Sequence, residues 1–227
     1  MLPYLLPRQL DEHTAGFLTR YLESQGLHII CGTPVKKVHV DPYVTHIEME
    51  DGREYPAQIV FQQMGIIPSI QLAKDSGLPT ENGILVNEFM QTANPDIYAC
   101  GDCIQFKKSV WGIIPASLDQ SRQAANAILG KNPPPYQGTF WNTRLKVAGV
   151  QLACFGSPPT KGSTTEEVMD YTDSNCNVCR KVVLEGNALK GAILLGGGDE
   201  MFFQKNIGKP VEKDVVLQKL YEKAVPK

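Results

Sequence analysis

The chain has 227 residues, with 22 Lys and Arg against 24 Asp and Glu, a formal net charge of −2 and 42% hydrophobic residues. This near-neutral, mixed charge leaves no basic stripe for nucleic acid, no apolar run reaches the roughly 18 residues that span a membrane, and no charged-then-apolar leader indicates secretion. The expectation is a cytoplasmic protein whose apolar content fills one large or two modest cores.

Taken in order, Leu10, Thr14, Phe17, Leu18, Tyr21 and Leu22 share one helical face, and Gly26 supplies a natural stop before an apolar strand beginning at Leu27. Strands are expected over 35–40 and 44–49, which would let His39 and His46 face each other across a hairpin. A turn at Asp51 and Gly52 and a strand over 59–63 follow. Asn94, Pro95 and Asp96 form a turn cluster, and the small apolar run 97–100 reads as a buried strand. Gly101 would then allow close backbone approach and deliver Asp102, a carboxylate that needs a partner.

The next segment predicts a helix with Pro115 in its first turn and Gly130 at its end, carrying Ser117, Ser121, Ala124, Ala125 and Ile128 on one small-residue face. Pro133, Pro134 and Pro135 cannot continue a helix, so 131–135 reads as a linker. Beyond it the pattern is strand-rich first and helical last, an α+β order. The glycine run Gly196, Gly197 and Gly198 reads as a turn, with Asp199 as the N-cap of a short helix. Among the cysteines, Cys100 with Cys103 and Cys176 with Cys179 form Cys-x-x-Cys pairs. The first is expected to be structural, with Cys100 buried as a small apolar residue, while the second, in a polar turn, leaves metal binding or oxidation open. Cys31 and Cys154 read as core, and the four histidines show no metalloenzyme spacing.

In order and spacing, Gly65, Pro68, Gly77, Leu78, Gly83, Ile84, Thr92, Pro95 and Asp102 resemble the distal part of the FAD-dependent pyridine nucleotide-disulfide oxidoreductases. Leu145, Lys146, Val147 and Gly149, then Leu189, Gly191, Ala192 and Ile193, resemble the carboxy-terminal domain of the NADH:rubredoxin reductase and assimilatory nitrite reductase branch. Ile67, Ser69 and Ser121 depart from the arginine, asparagine and glycine common in that pattern.

The resemblance implies that Asp102 accepts a hydrogen bond from a ribityl hydroxyl of FAD, with Gly101 giving close approach. Pro115, Ala116 and Ser117 would face the ring edge that is negative when reduced, and the loop at Gly65 would meet the nicotinamide. The two Gly-rich strand-to-helix turns that cradle the pyrophosphates of FAD and NAD(P)H are not found, so both cofactors would be incompletely held and the chain would open partway through a nucleotide-binding domain.

The implied fold class is α/β: a partial FAD/NAD(P)-binding doubly wound domain followed by a small α+β carboxy-terminal domain. Residues 1–67 would be the remainder of the NAD(P)H-binding domain, 68–133 the distal FAD-binding part and 136–227 the carboxy-terminal domain. The implied function is part of a flavoprotein passing electrons from NAD(P)H through FAD to a protein or small-molecule acceptor. Its expected partners are the missing amino-terminal half, in the same chain or as a separate subunit, and an electron-acceptor protein. The alternative is a non-catalytic docking subunit that keeps the fold without binding FAD. Loss of the leading half is further expected to bare the Phe17, Leu18 and Tyr21 face.

Overall fold

The computed structural model describes residues 2–147 and 149–222, without the side chains of 146 and 147. It divides into two compact units, one of Met1–Phe61 with Phe140–Lys227 and the other of Gln62–Thr139.

In the first unit, α1 (Glu12–Ser24) begins where the Asp11 side chain accepts from the Thr14 N–H at 3.3 Å and the Thr14 hydroxyl at 2.5 Å. It ends as Gly26 takes a φ of +88° and the Leu27 N–H returns to the Leu22 carbonyl at 3.2 Å. Strands β1 (Val35–Val40), β2 (Val44–Met49) and β3 (Glu54–Pro56) make an antiparallel sheet in that order. Its register sets His39 opposite His46, and the two rings stack with centroids 4.1 Å apart.

The remaining strands of this unit, β6 (Asn142–Val147), β7 (Val150–Gly156), β8 (Glu166–Asp173), β9 (Val178–Glu185) and β10 (Ala188–Leu195), form an antiparallel sheet ordered β6-β7-β10-β9-β8. Two short helices follow, α4 (Glu200–Asn206) and α5 (Lys213–Tyr221). Asp199 caps α4, its side chain accepting from the Phe202 N–H at 3.0 Å, as its place after the glycine run predicts.

Strand parity assigns the two faces of this sheet. Leu152, Cys154, Cys179, Ile193 and Leu195 gather with Leu10, Phe17, Leu18 and Leu22 of the α1 segment. Ala153, Phe155, Val182, Leu184 and Leu194 gather with Phe203, Val216 and Leu220 of α4 and α5. Burial on both faces explains why β7 and β10 read as nearly unbroken apolar runs, and why β9 is apolar on either side of Arg180 and Lys181. The same parity directs Lys181 toward α1, where it pairs with Asp11. It directs Arg180 the other way, where its Nη1 donates to the Leu220 carbonyl at 2.9 Å.

The second unit holds α2 (Gln71–Asp75), the parallel pair β4 (Ile84–Val86) and β5 (Ile104–Phe106), and α3 (Ile114–Ile128). Its core is Met90, Ile104, Phe106, Ala124 and Tyr136, with Trp111 packed against it. Gly83 has to be glycine, because a Cβ there would stand 2.6 Å from the Gln105 amide nitrogen of β5.

Four expectations are corrected. Residues 27–30 and 59–63 form no strand, and Phe61 is 91% exposed, because an extended run becomes a strand only when a neighbour completes its ladder. The run 97–100 contributes one isolated bridge, Tyr98 to Gln91, and the buried strand lies after Asp102, in β5. The Phe17 and Leu18 face is not bare, since Leu18 is 1% exposed against the five-stranded sheet. Cys100 is exposed rather than buried.

Candidate functional site

The residues singled out around Asp102 meet in the second unit. Gly101 takes a φ of +89°, a conformation any side chain would strain, and turns the backbone so that Asp102 leads into β5. Asp102 is exposed, and the Ser117 hydroxyl lies 3.4 Å from its Oδ1 and 3.4 Å from the Ile113 carbonyl, able to donate to either. A Cβ on Gly101 would lie 3.6 Å from the same hydroxyl, so the turn rests against the start of α3.

That helix begins without a side-chain cap among the described residues and with a proline in its first turn. Its first N–H groups and positive dipole end therefore stay available to negative charge. Pro115 is exposed and Ala116 is 1% exposed, facing the core. Gly65, with φ +85°, is exposed in a loop without regular structure, and no hydrogen bond joins it to the Asp102 turn among the described residues. Its neighbour Ile66 instead lies over Gly112, where a Cβ would be 2.4 Å from Ile66 Cδ1.

The face of α3 that packs inward carries Ala116, Gln120 and Ala124, so of the expected stripe of Ser117, Ser121, Ala124, Ala125 and Ile128 only Ala124 is buried, while Ser121 and Ala125 are exposed and Ile128 is 62% exposed. Both stripes consist largely of small residues at helical spacing, so periodicity alone chose between them poorly. Gln120 was missed for this reason, although its place four residues from Ala116 and four from Ala124 marks it as the polar member of an otherwise alanine face. It is 1% exposed, and its Oε1 accepts from the Gly101 N–H at 2.8 Å. Its Nε2 donates to the Tyr136 hydroxyl at 3.5 Å, which lies 2.8 Å from the Thr139 hydroxyl, itself donating to Asp119 at 3.0 Å.

Elsewhere the titratable groups serve packing. Cys179 is buried under α1, with the Thr14 hydroxyl 3.6 Å and His13 Nδ1 3.8 Å from its sulfur, while Cys176 is exposed in the β8–β9 turn. The second Cys-x-x-Cys pair is thus split between interior and surface. A hydrogen bond with Asp173 and the charge of that carboxylate push the Cys176 thiol up, and burial pushes Cys154 up to about 12. The described residues contain no group of three or more His, Cys, Asp or Glu placed to hold a metal. A hollow of about 560 Å³ beside Tyr4, Asp11, Glu12, His13 and Pro159 has one of its two acids, Asp11, held by Thr14 and Lys181, and the other, Glu12, exposed to solvent.

A short parallel pair, a Gly-Asp turn at its edge and an open helix start beside it are parts of an FAD/NAD(P)-binding oxidoreductase fold. The ferredoxin reductase from Rhodopseudomonas palustris shares this fold over 97% of this chain and 55% of its own, with a TM-score of 0.81 at 21% identity. The sequence profile of the pyridine nucleotide-disulphide oxidoreductases matches residues 1–128, and the chain belongs to that family.

Among relatives, nitrite reductase [NAD(P)H] of Bacillus subtilis is 32% identical over 198 residues, covering 87% of this chain and 24% of its own length. Rubredoxin-NAD(+) reductase of Acinetobacter baylyi is 33% identical over 196 residues, covering 86% of this chain and 49% of its own length. The chain therefore spans between about a quarter and a half of these two relatives. No helix among the described residues is long and apolar enough to cross a membrane.

Proposed function

We propose that this chain forms the distal part of a cytoplasmic flavoprotein oxidoreductase that moves electrons from NAD(P)H through FAD to a protein or small-molecule acceptor. The observation that carries the reading is the exposed Asp102 carboxylate held on a positive-φ glycine turn beside the uncapped start of α3. These residues fit the flavin. Asp102 is an acceptor with Ser117 as its one hydrogen-bond partner among the described residues, and α3 starts with free backbone donors.

Asp102 would orient the ribityl chain and Gly101 would let it come near. Pro115, Ala116 and Ser117 would place the helix start at the ring edge that turns negative on reduction, and the loop at Gly65 would lie toward the nicotinamide. FAD, when bound, would take two electrons from the reduced nicotinamide and hand them on, while these side chains supply position and electrostatics rather than an acid or base. In this reading residues 1–67 belong to the NAD(P)H-binding part, 68–133 to the FAD-binding part and 136–227 to the carboxy-terminal domain. The partners are an amino-terminal half carrying the Gly-rich turns and an acceptor of the kind a rubredoxin reductase serves.

The test is to purify the longest natural polypeptide containing this sequence, with any subunit that stays bound. Stoichiometric FAD that bleaches with NADH or NADPH under nitrogen is expected. A flavin-free preparation that takes up no added FAD would refute the reading and leave a docking subunit in its place.

A further inference from the structure

Gln120 is the one buried polar side chain on the inward face of α3, with Ala116 and Ala124 as its buried neighbours on that face. A primary amide in such a place is tolerated only when both of its ends are bonded, since each unmet group costs about as much as a lost hydrogen bond. Here the direction of every bond in the chain follows from one end. The Asp119 carboxylate accepts from Thr139, so the Thr139 oxygen accepts from Tyr136, and the Tyr136 oxygen accepts from Gln120 Nε2. That order leaves Gln120 Oε1, and not its nitrogen, facing the Gly101 N–H at 2.8 Å. Ser117 stands one turn earlier on the same helix, and its hydroxyl is 3.4 Å from both Asp102 Oδ1 and the Ile113 carbonyl, so its one hydrogen is shared between them. The helix thus holds the turn through the backbone preceding Asp102, and touches the carboxylate itself only through the long contact with Ser117.

We infer that Gln120, oriented by Tyr136, is a positioning residue that sets the angle at which Asp102 is presented to the flavin. This rests on the flavin reading above and adds to it a residue that touches neither cofactor nor substrate. Without the Gln120 acceptor, the Gly101 amide can rotate about a glycine that has no side chain to restrain it, and Asp102 keeps only the long bond from Ser117. Tyr136 acts one step further back, since removing its hydroxyl leaves the Gln120 amide free to turn over and aim its nitrogen at Gly101.

The experiment compares wild type, Gln120→Leu, Tyr136→Phe and, as a stability control on the same buried face, Ala124→Gly. Gly101 amide exchange is read by NMR on this chain, and FAD affinity on the longest natural polypeptide that contains it. Exchange at Gly101 about ten-fold faster and FAD held roughly five- to thirty-fold less tightly are expected for Gln120→Leu, with Tyr136→Phe between it and wild type. Ala124→Gly should lower the melting temperature while leaving both readings at their wild-type values. Equal FAD affinity in Gln120→Leu and wild type would overturn the inference and leave the flavin reading standing. So would a loss of affinity in Ala124→Gly as large as in Gln120→Leu, because the effect would then be loosened packing. A wild-type protein that binds no FAD would overturn both.

Discussion

Replacing Asp102 by alanine separates a binding role from a structural one, because the structure gives the carboxylate so little to do in the fold. It is exposed, and its hydrogen bond from Ser117 is long, at 3.4 Å. A surface change of that kind typically shifts stability by no more than about 0.5 kcal/mol. In the flavin-bound protein the same carboxylate would accept from a ribityl hydroxyl, a charge-assisted bond worth about 1.5 to 3 kcal/mol. Asp102→Ala should therefore hold FAD roughly ten- to a hundred-fold less tightly while melting within a degree or two of wild type without cofactor. Asp102→Asn keeps an acceptor oxygen and loses the charge, and since a neutral bond is about half as strong, a loss of roughly five-fold is expected. Fluorescence titration of the cofactor-free protein with FAD gives the affinities, and circular dichroism gives the melting curves. Unchanged affinity in the alanine variant would refute the argument. A fall in stability matching the fall in affinity would also refute it, since the carboxylate would then be holding the turn together.

Leu18→Ala should cost about 2 to 5 kcal/mol, because a side chain 1% exposed leaves a cavity between α1 and the five-stranded sheet, and hydrogen exchange over α1 should quicken; unchanged exchange would mean that the helix does not depend on that sheet. Brief alkylation of the native chain should label Cys100 and Cys176 and spare Cys154 and Cys179 until the protein unfolds, and mass mapping that finds native Cys154 labelled would contradict its burial. Burial pushes the Glu166 carboxyl up, but hydrogen bonds from Lys190 at 2.5 Å and from the Thr160 N–H at 2.7 Å outweigh it and bring it down to about 2. A depressed carboxylate gives stability that is fully present above its ordinary pKa near 4.5 and is lost as pH falls through the folded value. Stability should therefore drop between about pH 4.5 and 2, and the drop should be shallower in Glu166→Gln; identical acid profiles would remove Glu166 from the account.

The sequence was most readable where a segment's partners lie close along the chain. The carboxy-terminal sheet could be read as a strand-rich stretch followed by helices because the ladders of β6 to β10 run between these strands, through antiparallel connections that alternate apolar runs and turns. The hairpin of β1 and β2 was readable for the same reason, down to the facing of His39 and His46. Residues 59–63 and 97–100 carry the same apolar signature, yet form no ladder beyond the single bridge at Tyr98. Local composition makes a segment able to extend, whereas a strand also needs a neighbour, and parallel neighbours come from distant sequence. The helix α1 shows the converse. Its amphipathic face was plain, but the sheet it covers lies more than a hundred residues away, so the surface expected to stand open is buried.

The same limit governs the candidate site. Gly101, Asp102 and the start of α3 could be picked out because each uses a local signal: a glycine before an acid, and a proline at a helix start. Gln120 could not, because what sets it apart is the Gly101 N–H 19 residues earlier in the chain and the Tyr136 hydroxyl 16 residues later. A polar side chain inside an alanine face is a departure from pattern, and such a departure persists only where something answers it. Here the answer on one side is the backbone amide directly before Asp102. That contact makes the interior of α3, rather than its exposed small-residue stripe, the part of the helix through which the site is tied to the core.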